Sequence, residues 1–120
     1  MPLAADFEIK NINIALVDND RSVYSQKLLQ KITASGYFIL TEYTHSYDEA
    51  FAQIENDQAD LILEIPKGFE RNLVREQTDE LFIAVNAING TKASVGGTYL
   101  NTIIREFNTE IRLDWIQPAR

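Results

Sequence analysis

The chain has 120 residues, 45% of them apolar and 24% charged, which is the length and composition of one globular domain with a single core. Its formal net charge of -7, with acidic residues that read as scattered, argues against a nucleic-acid backbone as partner. With no cysteine and one histidine, His45, it excludes a thiol nucleophile, a disulfide framework and a His-pair or Cys-ligated metal site.

Phe7 to Val17 alternates and then turns fully apolar, which predicts a strand buried at Ala15-Leu16-Val17. Asp18-Asn19-Asp20 offers cap oxygens for a helix from about Ser22 to Ser35, with Leu28, Leu29 and Ile32 inward and Gly36 as its stop. Tyr37 to Thr44 reads as a second strand. Ser46-Tyr47-Asp48-Glu49 matches a capping box, opening a helix with Ala50, Phe51 and Ile54 inward that ends near Asp57. Asp60 to Ile65 is a nearly all-apolar, central strand, stopped by Pro66. A short helix follows Gly68 and runs to about Arg75.

Glu80 to Ile88 reads as a fourth strand, and Asn89-Gly90 as a strand-to-helix turn. From about Ala93 to Gln117 a long helix carries Val95, Tyr99, Ile103, Phe107, Ile111 and Trp115, with Leu100 and Ile104 widening the stripe. The fold class is therefore α/β, a single domain of order βαβαβ(α)βα. Right-handed crossovers make strands one to three parallel in order 2-1-3. Strand four joins strand three antiparallel, giving a mixed, mostly parallel sheet in order 2-1-3-4. The last helix spans roughly 38 Å, against roughly 35 Å for a compact domain of this length, so one end is expected to overhang.

The chemistry-bearing candidates are few. Asp18 and Asp20 end the first strand on the usual ligand side of a parallel sheet, where a carboxylate pair suits Mg²⁺. Ile14 to Leu63 looks superficially like a phosphate-accepting receiver domain of the cytoplasm, and a degenerate regulatory version is the alternative reading. Such a receiver needs an aspartate where this chain has Ile65, and a fifth strand that the final helix replaces. The competing expectation is that Asp18, Asn19 and Asp20 cap a helix. Glu64 is expected near a strand end, reaching solvent or Lys67, and His45 in a loop. Asn89-Gly90-Thr91 fits a glycosylation triplet that means little alone, and Thr91-Lys92 lacks the glycines of a nucleotide loop. The serines lack a histidine arranged for nucleophilic catalysis. No catalytic residue, cofactor or metal is expected.

Asn11 to Ser22 resembles the segment after the first transmembrane helix of ATP-binding-cassette (ABC) type-2 transporter permeases. Ala34 to Phe38 is similar to that family's turn into its second strand, and Ala50 to Ile54 with Asp60-Leu61-Ile62 to its next helix and strand. Ile65-Pro66-Lys67-Gly68-Phe69-Glu70-Arg71-Asn72-Leu73 resembles its most recognisable signature, and Asn86 to Tyr99 its last strand and following helix. The resemblance covers roughly residues 8 to 108 in order. Glu64 and the Gly96-Gly97 pair depart from the family pattern.

The resemblance implies a non-catalytic, extracytoplasmic domain, periplasmic in a bacterium with two membranes, cut from between two transmembrane helices of a longer exporter permease. No apolar run here approaches the ~20 residues that cross a bilayer, so the membrane segments are expected outside residues 1–120. Implied partners are a like or related permease subunit, a separate cytoplasmic ATPase subunit and a periplasmic adaptor, with substrate guidance as a further role. Ile65, Pro66, Phe69, Tyr99 and Phe107 are the candidate partner or substrate contacts, against the alternative of ordinary core packing.

Overall fold

A computed structural model describes residues 11–76, 81–85 and 90–116. Eight elements follow in order: β1 (Ile12–Asp18), α1 (Val23–Ala34), β2 (Phe38–Thr44), α2 (Tyr47–Glu55), β3 (Leu61–Ile65), α3 (Phe69–Glu76), β4 (Phe82–Val85) and α4 (Gly90–Ile116). The sheet runs β2-β1-β3-β4, with β1 parallel to both neighbours and β3 antiparallel to β4. The expected order and mixed character therefore hold. A register shift between Ile14 and Ala15 bends the β1–β2 pair. The outer parts of the expected fourth strand, Glu80 and Asn86 to Ile88, lie outside the described residues.

The two sheet faces are covered unequally. Ile12, Ile14, Leu16, Leu61 and Leu63 pack with Leu28 and Ile32 of α1, Phe69 of α3 and Leu100, Ile103 and Phe107 of α4. On the other face Ala15, Val17 and Ile62 cluster with Ala59 and with Ala50 and the half-buried Ile54 of α2, the one helix there among the described residues. The pleat explains the division, because successive residues of a strand point to opposite faces. Small side chains under α2 let this short helix sit close to the sheet.

Helix starts differ in mechanism from their sequence signals. The reciprocal capping box forms at α1, where Ser22 and Ser25 exchange side-chain to backbone hydrogen bonds. At α2, Ser46 accepts from the Glu49 N–H, but the Glu49 carboxylate accepts from the Thr44 hydroxyl instead of closing the box. Phe51, expected inward, is 42% exposed. It follows Tyr47 by one turn, and the two rings stack at 6.1 Å on the outside of α2.

The long helix α4 begins at Gly90, not near Ala93, and runs through the Gly96-Gly97 pair unbroken. Gly96 is where the helix touches the sheet. A β-carbon there would lie 2.8 Å from Leu61 Cδ1 and 3.0 Å from Ile12 Cγ2, whereas one at Gly97 would meet nothing within 4 Å. With 27 residues, α4 is roughly 40 Å long, nearly the molecule's longest dimension of 45 Å. Among the described residues no strand exceeds seven residues, or roughly 23 Å, so α4 outruns them. Lys31 of α1 grips it through Glu110 at 3.0 Å and Glu106 at 3.7 Å. No helix among the described residues is long and apolar enough to cross a membrane.

Candidate functional site

The turn after β1 is the polar centre of the fold, and each of its three residues does a different job. Asp18 is 1% exposed. Its Oδ1 accepts the N–H groups of Asp20 (3.1 Å) and Arg21 (2.8 Å). Its Oδ2 accepts the Ser25 hydroxyl at 2.7 Å and the Tyr43 hydroxyl at 2.8 Å. A carboxylate offers about four acceptor positions, so Asp18 is saturated by protein donors. Gln26 donates in turn to the Tyr43 oxygen at 2.7 Å. Burial and the neighbouring Asp18 carboxylate push the Tyr43 phenol above its usual range.

Asn19 and Asp20 reach across to the β3–α3 segment. The Asn19 N–H donates to the Ile65 carbonyl at 3.0 Å and its side-chain amide to Glu64 Oε2 at 3.1 Å. Glu64 is half-buried, and its partner is Asn19 where solvent or Lys67 was expected. Asp20 accepts the N–H groups of Gly68 and Glu70, both at 2.9 Å. It thereby satisfies free donors at the start of α3, a helix that begins almost fifty residues later. Gly68 sits at φ +87°, a conformation other residues rarely adopt, and that turn aims its N–H at Asp20. Burial raises the Asp20 pKa, but hydrogen bonds from Glu70, Ser22, Gly68 and Phe69 outweigh it and hold the carboxyl below its ordinary value.

Of the three residues expected to cap a helix only Asp20 does so, and the helix is α3, while Asn19 bonds Ile65 and Glu64. Ser22 caps α1, Asp18 holds the turn, and Asp20 caps α3. A local reading assigned all of them to α1 because Asp20's helix is close only in space. Ser25 and Tyr43 were missed. Ser25 had a local signal in its three-residue spacing from Ser22, whereas the role of Tyr43 exists only once β2 lies beside β1.

Of the candidate contact residues, Ile65, Phe69 and Phe107 are at most 3% exposed and belong to the core. The Phe69 and Phe107 rings stack at 6.3 Å and 16°, tying α3 to α4. Pro66 and Tyr99 are half-buried, and Tyr99 stacks on Tyr37 at 4.1 Å. The structure brings Ile65, Pro66, Phe69 and Phe107 around one step and leaves Tyr99 with β2's leading residue. His45 is exposed, as expected of a loop. Asn89 of the glycosylation triplet lies outside the described residues. A second polar anchor went unforeseen: buried Asp60 accepts the Asn13 N–H at 2.9 Å and pairs with Lys92 of α4 at 3.4 Å.

No group of three or more potential ligands that could hold a metal ion occurs among the described residues. With Asp18 saturated and Asp20 engaged at α3, the arrangement performs structural hydrogen bonding.

The comparisons agree with this picture. The chain is 28% identical over 110 residues to the protein named "Probable multidrug ABC transporter permease YbhR" in Escherichia coli K12, and equally to its counterpart in E. coli O157:H7. Those 110 residues are 92% of this chain but 30% of that permease, so the chain spans under a third of its curated relatives. The fold matches a crystal structure described as a domain of a "putative ABC type-2 transporter" from Thermotoga maritima MSB8. That match has a TM-score of 0.63 at 17% identity, covering 90% of this chain and 72% of that one. The family model described as ABC-2 family transporter protein matches residues 1–119, and this chain belongs to that family.

Proposed function

We propose that residues 1–120 are the extracytoplasmic domain of a type-2 permease, inserted between two transmembrane helices of a longer protein. That protein works in an ATP-driven exporter, with drugs or other small molecules as cargo. ATP hydrolysis belongs to a separate cytoplasmic ATPase subunit, and the permease pairs with a like or related permease. In a bacterium with two membranes the domain is periplasmic. There it guides substrate, contacts the partner permease or meets a periplasmic adaptor.

The observation that carries this reading is the interlock of the two family-like motifs. Val17-Asp18-Asn19-Asp20 and Ile65-Pro66-Lys67-Gly68-Phe69 are bonded to each other through Asn19 and Asp20. Their polar groups serve the fold, in a chain that belongs to a transporter family. The relative's name supports efflux of drugs as the cargo class. Force passing along α4 meets the sheet at Gly96 and α3 at Phe107, so the domain moves as one piece with that helix. Pro66 and Tyr99 keep surface for a partner or a substrate. Ile65, Phe69 and Phe107 act through packing behind them.

The side of the membrane is testable because the 120 residues hold no cysteine. A cysteine at exposed Lys27, in an otherwise cysteine-free full-length protein, is treated with a membrane-impermeant maleimide in intact cells. Labelling before lysis is the expected result. Labelling only after lysis overturns the extracytoplasmic assignment.

A further inference from the structure

The acidic residues form no run of like charge, yet their excess falls in one stretch of the sequence. Residues 32–66 hold seven carboxylates and neither Lys nor Arg. The whole chain has 18 acidic and 11 basic residues, so everything outside this stretch balances at eleven of each. The stretch that holds the entire net charge of -7 contains α2, the one helix on its side of the sheet among the described residues.

Among the seven, Asp60 is bonded to Lys92 and Asn13, Glu64 to Asn19, and Glu49 to the Thr44 hydroxyl. Asp48, Glu49 and Glu55 are exposed on α2 itself. Among them, Tyr47 and Phe51 leave 39% and 42% of their surface open as a stacked pair. An exposed aromatic pair with Asp48 and Glu55 on its flank matches a guanidinium in two ways, through the ring faces and through charge-assisted hydrogen bonds. A second copy of this chain does not match it, because a two-fold contact through α2 sets acid against acid.

We infer that the outer face of α2 is a docking surface for a basic, arginine-bearing segment of a second protein. Tyr47 and Phe51 supply the desolvated centre and the flanking carboxylates the rim, the usual anatomy of a contact dominated by a few side chains. The inference goes beyond the permease assignment and does not depend on which side of the membrane the domain faces.

The test uses the 120-residue chain and a synthetic amphipathic helix of arginine and leucine, about 18 residues long, with a glutamate–leucine peptide as control. Amide spectra during titration are expected to show saturable shifts centred on Tyr47 to Glu55 with the arginine peptide alone. Phe51→Ala, and separately Asp48→Lys with Glu55→Lys, are each expected to weaken binding about tenfold. The charge-reversed variant keeps the aromatic pair and both of its positions are exposed, so it stays informative if Phe51→Ala alters folding. Absence of saturable shifts, shifts on the α1–α4 side, unchanged affinity in the charge-reversed variant, or self-association through α2 each overturn the inference. The cysteine-labelling result is unaffected by any of these outcomes.

Discussion

At the residue scale, one carboxylate joins parts of the chain that sequence keeps far apart. Asp20 receives two backbone N–H groups at the start of α3, so Asp20→Ala is expected to cost about 1–2 kcal/mol, a melting-temperature fall of about 3–8 °C. Asp20→Asn retains acceptor capacity and should cost less. The two variants separate in acid. The Asp20 pKa lies below its ordinary value of 3.8 in the folded state. Its stabilising contribution is therefore complete above that value and disappears as pH falls through the lower folded pKa. Thermal melts from neutral pH down through this window should show a shallower acid loss in Asp20→Asn than in the unaltered chain. Residue identity was legible here, since Asp18, Asn19 and Asp20 stood out as cap-formers. Their targets were not, because hydrogen-bond partners set by tertiary contact leave no trace in local spacing.

At the element scale, the strands and helices were readable wherever periodicity was strong. The all-apolar Leu61–Leu63 announced a central strand, and Gly36 marked the end of α1. Readings failed where one residue type admits two physical roles. Glu49 fits a capping box, yet Thr44 offers its carboxylate a better-placed donor. Phe51 is as apolar as Ile54, but the nine-residue α2 rests on small sheet residues and turns its aromatic flank outward. The glycine pair in α4 read as an interruption, because glycine is a poor helix former. Gly96 instead marks the closest approach between helix and sheet. Gly97→Ala is expected to stabilise the fold by about 0.5–1 kcal/mol, the usual helical gain at an open site. Gly96→Ala forces methyl contact with the fully buried Leu61 and Ile12, and should destabilise by about 1–2 kcal/mol despite the same helical gain. Urea denaturation of the two variants measures the contrast directly. Equal midpoints would mean that α4 does not touch the sheet at Gly96.

At the scale of the whole molecule, the two faces of the sheet are covered differently. One face carries α1, α3 and α4 bound into a single core, with buried residues of the long helix from Ala93 to Ile111. The other face carries α2, with Asp48, Glu49 and Glu55 exposed on it. The order 2-1-3-4 was legible because crossover handedness and the shortness of α3 restrict the topology. The exposed Tyr47–Phe51 pair was not, because the sequence does not say which flank of α2 meets the sheet. Family membership places the chain among ABC-2 transporter proteins, and the saturated turn after β1 fits a domain that contributes shape and contact, with chemistry performed elsewhere in the assembly. That claim is most directly tested by amide spectra of the chain titrated with Mg²⁺ and a beryllofluoride phosphoryl analogue. The expected result is no saturable shift at Asp18, Asn19 or Asp20. A saturable, localised shift at those three residues would contradict the account and restore the receiver-like reading.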